Sequence, residues 1–261
     1  MPTVTPIIVN YRTPKLTVGA VRSCLSEPEV DEVIIIDNAS DDGSADIFTE
    51  TFRGQKVRIL EMSENLGFGA ANNKAVGKAH GDYVFFLNSD AHILDGCIGT
   101  LLKRMEDDVT IGICAPEVLE SDGTTVQRGN YGPFPTPRTI FTRNQSVENP
   151  LEPDWVSGVC MMIHKHTLLD IDGFDDEFFM YFEDVDLCRR MRLFGKRIVR
   201  EPKAKIVHFG GGSLKSDFKR KKLYYESQDR YLELTGVKPF THTLIQVARW
   251  PAYVARFVTG R

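Results

Sequence analysis

The chain has 261 residues, 42% hydrophobic and 26% charged, the composition of a globular protein with an interior of its own. A formal net charge of −4 argues against a dedicated nucleic-acid binder, which would carry a basic excess, so no nucleic-acid partner is expected. The five cysteines (Cys24, Cys97, Cys114, Cys160 and Cys188) are odd in number and lack CxxC spacing, and so read as reduced core residues, excluding a disulfide framework or zinc site.

The opening MPTVTPIIVNYR is too short and too poor in positive charge for a signal peptide. No apolar stretch approaches the roughly 20 residues that a spanning helix requires. A cytoplasmic protein is therefore expected.

Strand-like runs fall at residues 5–10 (TPIIVN), 32–37 (EVIIID), 57–62 (VRILEM) and 82–88 (DYVFFLN), with helical patterns between them at 15–26, 44–52 and 69–78. Such alternation predicts right-handed βαβ crossovers and a mostly parallel α/β sheet, with ligands outside the carboxyl ends of the strands. Polar residues gather at those ends: Asn10 and Tyr11; Asp37, Asn38 and Ser40; Glu64 and Asn65; Asn88 and Asp90. Beyond them come a helix at 96–105, a strand at 111–116, and a proline- and glycine-rich stretch at 129–153 that reads as a surface loop or lid. An apolar run at 155–164 precedes a dense acidic and aromatic cluster at 173–192. A basic patch, KSDFKRKK at 215–222, and an amphipathic tail at 244–258 close the chain. No internal repeat and no clean boundary interrupt it, so one domain over 1–261 is expected.

Residues two apart on an extended chain point to one side, so Asn88 and Asp90 at the end of a buried strand could face one hard cation. Oxygen ligands of this kind suit Mg²⁺ or Mn²⁺. Read alone, the same residues are a polar turn. DNASDDGS at 37–44 is a turn followed by a helix cap, or a site where Asp37 accepts a hydrogen bond from a pyrimidine N–H. GFGAAN at 67–72 imitates a dinucleotide fingerprint, but its third glycine is Asn72 and the strand before it ends too early. Glu183, Asp184 and Asp186 open a helix that ends near Gly195, where acidic residues are favoured by the helix dipole. The aromatic residues around them argue that at least one carboxylate faces an enclosed site. His208 follows a strand and precedes three glycines.

The series VNYR, DNASDDGS, ENLGFGAANN, LNSDA, WVSGVCMMIHK, GFDDEFFMYFEDVDLCRR and VHFGGGS, in this order, resembles the family 2 glycosyltransferases, and within them the bacterial rhamnosyltransferase-type members. The resemblance runs from about Thr5 to Ser213. It implies a GT-A fold, a nucleotide-diphosphosugar donor, a Mn²⁺ or Mg²⁺ cofactor, inversion at the anomeric carbon, and a glycan or lipid-linked acceptor in cell-surface polysaccharide assembly. By subgroup, dTDP-rhamnose is implied ahead of UDP-hexoses. A nucleotide-sugar-binding half would occupy about 1–115, an acceptor half about 116–213 and a helical tail 214–261.

Carried onto this sequence, the resemblance puts Asp37 at the base and Asn10, Tyr11, Asn65, Gly67, Asn72, Asn88 and Ser89 along the nucleotide sugar. Asp90 takes the metal-binding position, with Asn88 at the first position of that motif, and His208 matches a late metal ligand. Asp184 falls at the catalytic base with Glu183 beside it, while Trp155 and Gly158 belong to the stretch that approaches the acceptor. The basic patch and the tail around Trp250, Tyr253 and Phe257 read as a peripheral contact with the inner face of the cell membrane, or as an ordinary packing helix. Two other classes stay open: a sugar nucleotidyltransferase, which normally has a glycine-rich basic loop where residues 10–14 read NYRTP, and an inactive nucleotide-sugar-binding protein.

Overall fold

A computed structural model describes residues 2–140, 151–210 and 217–259, with residue 217 and the last helix from 250 onward described by their backbone alone. Strands β1 (Val4–Asn10), β2 (Val33–Asp37), β3 (Val57–Glu61) and β4 (Tyr83–Asn88) alternate with helices α1 (Pro14–Leu25), α2 (Ser44–Thr51) and α3 (Phe68–Val76). They form the parallel part of an eight-stranded sheet, ordered β3-β2-β1-β4-β9-β6-β10-β5. The apolar runs of β1, β2 and β4 are buried on both faces, as a parallel strand under helices must be, while β3 at the sheet edge is only partly covered. In β2 all five residues are buried.

Alternate residues of one strand enter different cores. Val33, Ile35, Phe85 and Leu87 pack under α1, α2 and α4 (Cys97–Glu106). On the other side Ile34, Ile36, Val84 and Phe86 meet α3, α5 (Lys165–Asp170) and α6 (Glu183–Leu193). Local signals set the helix ends: Pro14 starts α1 with its fixed φ. In α6, Glu183, Asp184 and Asp186 lie in the first turn and Arg190 and Arg192 in the last, complementing the dipole at both ends.

The second half departs from simple alternation. The apolar run at 155–164 becomes β8 (Trp155–Val156) and β9 (Cys160–His164), and β9 enters antiparallel between β4 and β6 (Ile111–Leu119). Its register pairs Leu87 with Cys160, which brings the chain just before β9 to the end of β4. A 12-residue strand, β10 (Arg197–His208), runs parallel to β6, shifts register between Glu201 and Lys205, and ends antiparallel to β5 (Ala91–Ile93). The glycine-rich stretch is tied down where it is described, because β7 (Tyr131–Gly132) pairs with β8. The remainder of that expected lid, 141–150, lies outside the described residues.

Helices α7 (Asp217–Leu234) and α8 (Pro239–Thr259) follow. Among the described residues no helix is long and apolar enough to cross a membrane. All five cysteines are buried and free, and burial pushes the Cys160 thiol well above its ordinary value.

Candidate active site

The carboxyl ends of β1, β2 and β4 lie side by side, with Asn10 in register with Asp37 and Val9 with Asn88. Above them opens a cavity of about 830 Å³. That volume is within the range of small-molecule and cofactor sites. Tyr11, Asn65, Gly67, Asn88, Ser89, Asp90, Trp155, Gly158, Glu183, Asp184 and His208 all line it. Asn10, Asp37 and Asn72, also expected here, do not.

Asn10 and Asp37 form the floor beneath the cavity. Asn10 Nδ2 donates to Asp37 Oδ1 at 2.8 Å and to Ser40 Oγ at 2.9 Å. Asn10 Oδ1 accepts from the Thr17 hydroxyl at 2.7 Å and the Thr13 hydroxyl at 3.2 Å. Thr13 Oγ1 in turn lies 3.0 Å from Ser89 Oγ. A continuous polar network therefore joins the ends of three strands, and a buried amide and carboxylate are tolerated because they satisfy each other. Asn72 is internal to α3, its amide donating to Phe68 O at 2.9 Å.

Asn38 fixes the wall that carries Asn65 and Gly67. Its Nδ2 donates to Asn65 Oδ1 and to Gly67 O, both at 3.0 Å, and its Oδ1 accepts from Leu66 N–H at 2.9 Å. Asn38 also lines the cavity, as do Ser157 and, from α7, Tyr224 and Gln228. No motif marks Tyr224 or Gln228 in the sequence, whereas Arg220, which also lines the cavity, belongs to the basic patch.

The acidic pair arrives by a strained turn. Tyr181 and Phe182 have φ of 71° and 65°, rare for bulky side chains and characteristic of positions held by their surroundings. Phe182 packs with Phe178, Val185 and Tyr231, and this apolar cluster anchors the turn. Asp184 Oδ2 accepts a hydrogen bond from the Gly158 N–H at 2.9 Å and Oδ1 from the Val185 N–H at 2.8 Å. Burial raises the Asp184 carboxyl above its ordinary range, and those two N–H donors oppose the rise. Glu183 is pushed up much further, by burial first and then by the Asp184 charge. The two N–H donors at Asp184 favour its carboxylate, while burial and the Asp184 charge both favour the protonated form of Glu183. Asp186 has a different place: it is 1% exposed and paired with Arg189 at 3.0 Å and Arg190 at 2.7 Å. Its work is structural.

Asp90 and His208 meet because β10 lies antiparallel to β5, which begins directly after Asp90. The Phe209 N–H donates to Asp90 O at 2.9 Å. His208 Nε2 then lies 3.2 Å from Asp90 Oδ1, while Nδ1 lies 2.8 Å from Gln127 Oε1. No group of three or more His, Cys, Asp or Glu side chains set to hold a metal occurs among the described residues. Asp90 and His208 offer one carboxylate and one imidazole, with Asn88 and Ser89 on the same wall. A cation held here would complete its shell from a ligand or water, as Mg²⁺ and Mn²⁺ commonly do at diphosphates.

The profile of the family described as Glycosyl transferase family 2 matches residues 5–169, more than half of the chain. The N-acetylglucosaminyl-diphospho-decaprenol L-rhamnosyltransferase of Mycobacterium tuberculosis (strain CDC 1551 / Oshkosh) is 30% identical over 203 residues, 67% of this chain and 66% of that enzyme. The chain thus spans just under two thirds of the length of that relative. Rhamnosyltransferase WbbL of Escherichia coli (strain K12) is 26% identical over 189 residues, 64% of this chain and 70% of WbbL. In fold, the chain is similar to the mannosyltransferase PcManGT of Pyrobaculum calidifontis, solved in complex with GDP-Man and Mn²⁺. That match has a TM-score of 0.63 at 18% identity, and covers 99% of this chain and 79% of that one. The α/β architecture is that of the GT-A glycosyltransferases, the sequence is rhamnosyltransferase-like, and the chain belongs to glycosyltransferase family 2.

Proposed function

We propose that the protein is an inverting, divalent-cation-dependent transferase that moves a sugar from a nucleotide-diphosphosugar to a hydroxyl of a glycan or lipid-linked acceptor in cell-surface polysaccharide biosynthesis. The single observation that carries this is that one cavity is lined by both Asp184 and the Asn88–Asp90 wall. Transfer with inversion needs a base for the incoming hydroxyl and, facing it, a holder for the departing diphosphate. The names of the two rhamnosyltransferases favour rhamnose as the sugar, and the donor proposed from the sequence resemblance is dTDP-rhamnose, with UDP-hexoses behind it.

In this reading Asp184 takes the proton of the acceptor hydroxyl as its oxygen forms the new bond to the anomeric carbon. The bond from that carbon to the diphosphate oxygen breaks, and its electron pair leaves with the diphosphate. Asp184 suits the task because its N–H donors favour the carboxylate while burial strengthens it as a base. Glu183 carries the proton of the pair and is available to donate. Asp90 and His208 would hold the cation, with Asn88 and Ser89 beside the diphosphate. When bound, the cation supplies compensation for the charge that builds on the leaving group. Trp155 and Gly158 face the acceptor. Asn65 and Gly67 border the nucleotide, and Asp37, from below, holds the floor on which its base rests.

The chain works as one domain at the cytoplasmic face of a membrane that carries its acceptor, touching it through the C-terminal helices. In support, α8 exposes Phe240, Leu244 and Val247 at helical spacing. The side chains of Trp250, Tyr253 and Phe257, also expected to contribute, lie outside the described residues.

The test is a transfer assay across dTDP-, UDP- and GDP-sugars with Mn²⁺, Mg²⁺ or chelator, with thermal shift reporting donor binding by mass action. One donor should give cation-dependent transfer, with inverted anomeric configuration by NMR. Asp90→Ala should fold and lose the cation-dependent part of donor binding. A retained configuration, or full activity in chelator, would overturn the reading.

A further inference from the structure

Behind the Asp90–His208 pair stands a side chain that no motif marks. β6 turns back after Leu119 through residues 120–127. Asp122 pins the turn by accepting from the N–H groups of Thr124 and Thr125, both at 2.8 Å. The Gln127 N–H donates to Val118 O at 2.8 Å. Glu120 and Gln127 are thereby set side by side, and Gln127 Nε2 donates to Glu120 Oε2 at 3.0 Å.

A carboxylate facing an amide selects its NH₂ end, so Oε1 of Gln127 must point the other way. There it accepts from Asn130 Nδ2 at 3.2 Å and faces His208 Nδ1 at 2.8 Å. An amide oxygen only accepts, so Nδ1 carries the hydrogen. In the neutral ring Nε2 is then the lone-pair nitrogen, and it is Nε2 that lies 3.2 Å from Asp90 Oδ1. Two electron-rich atoms at this distance repel unless positive charge is shared between them. A proton on Nε2 or a cation bound between the two would supply that charge.

We infer that Gln127, oriented by Glu120, is a positioning residue: it fixes the tautomer and ring plane of His208 so that Nε2 and the Asp90 carboxylate present their lone pairs together to a divalent cation. This rests on the cation reading above. Partners that hold the far nitrogen of a ligand histidine typically govern affinity by 10–100-fold.

The experiment titrates the full-length protein with Mn²⁺ alone and follows free hexaaqua Mn²⁺ by EPR, with thermal unfolding of each variant as a check of folding. Gln127→Leu should weaken Mn²⁺ binding by roughly 10–100-fold. Exchanging the two groups, Gln127→Glu with Glu120→Gln, keeps an acceptor at Nδ1 and a donor–acceptor contact between the positions, and should restore binding. In a His208→Ala background Gln127→Leu should have no further effect, because its route runs through the ring. If Asp90→Ala abolishes Mn²⁺ binding while folded Gln127→Leu binds as wild type, this inference fails and the cation site stands. An undiminished Gln127→Leu effect without His208 also overturns it. Wild-type protein that binds no Mn²⁺ removes the cation reading and this one together.

Discussion

The Gly158 N–H donates a hydrogen bond to Asp184 Oδ2 at 2.9 Å, joining the segment before β9 to the first turn of α6. The fit is close: a Cβ on Gly158 would stand 3.0 Å from the Phe68 ring and 3.6 Å from Asp184 Cβ. A backbone donor does not titrate and cannot swing away, so it holds one carboxylate oxygen still and favours its charged form. Asp184→Asn keeps the size of the side chain, can accept from only one of the two N–H donors, and loses the base. Donor and cation affinity should therefore match wild type, and turnover should fall by roughly 10²–10⁴-fold. Retention of more than about a tenth of wild-type turnover, well short of that loss, would remove Asp184 from the role.

Glu183 makes a pH prediction with a definite sign. Its folded-state carboxyl is raised by burial and by Asp184. A raised carboxyl stabilises the fold fully below the unfolded value, about 4.3, and that contribution is lost as pH climbs through the folded value. Gln is neutral throughout, so Glu183→Gln should gain stability over wild type increasingly above pH 4.3 and nothing below it. Each kcal/mol gained would appear as about 2–4 °C in Tm for a chain of this size. A Tm difference that is flat between pH 5 and 8 would contradict the raised carboxyl.

Much of the donor-side frame is legible because burial leaves the sequence few options. VIIID and YVFFLN are covered on both faces, so they can turn polar only where the strand ends, and those ends are what border the cavity. Helix α6 begins at Glu183, where its acidic first turn predicts. Pairing across long sequence intervals is not legible. Nothing in CMMIH announces that it runs antiparallel to β4, because a fully buried strand reads alike in either direction. Strand β5, three residues long, is below the length at which periodicity speaks. Polar residues in turns all look alike: Asn38, which ties down the wall, and Gln127, which reaches His208, differ from ordinary loop residues only in what faces them. Asp37 shows the converse, its motif clear and its carboxylate engaged by Asn10 below the cavity.

Membrane contact has its own test. Phe240, Leu244 and Val247 are 75%, 53% and 64% exposed, a single stripe on α8. Apolar residues in that pattern are what interfacial helices use, and attraction to anionic lipid adds about 1 kcal/mol per Lys or Arg near the surface. The protein should float with vesicles containing anionic lipid, less so as salt rises. Replacing the three apolar residues with Ser should abolish flotation while donor binding is kept. Wild-type protein that stays with the soluble fraction at low salt would end the idea.

Gly67 should be irreplaceable for two separable reasons. Its backbone has φ 84° and ψ −172°, a region essentially restricted to glycine. A Cβ there would also sit 2.1 Å from the carbonyl oxygen of Phe179, which already accepts the Phe68 N–H at 3.0 Å. That contact docks the wall carrying Asn65 onto the segment that leads into Glu183, so the damage should reach both sides of the cavity. Gly96 is the control, with φ 74° and ψ 10° and nothing within 4 Å of an added Cβ. Gly96→Ala should cost only the left-handed penalty of about 1–2 kcal/mol. Gly67→Ala adds the clash and a harsher backbone, and should cost several kcal/mol in chemical denaturation, with donor affinity falling alongside. Equal losses for the two variants would mean that the Gly67–Phe179 approach is not what holds these walls together.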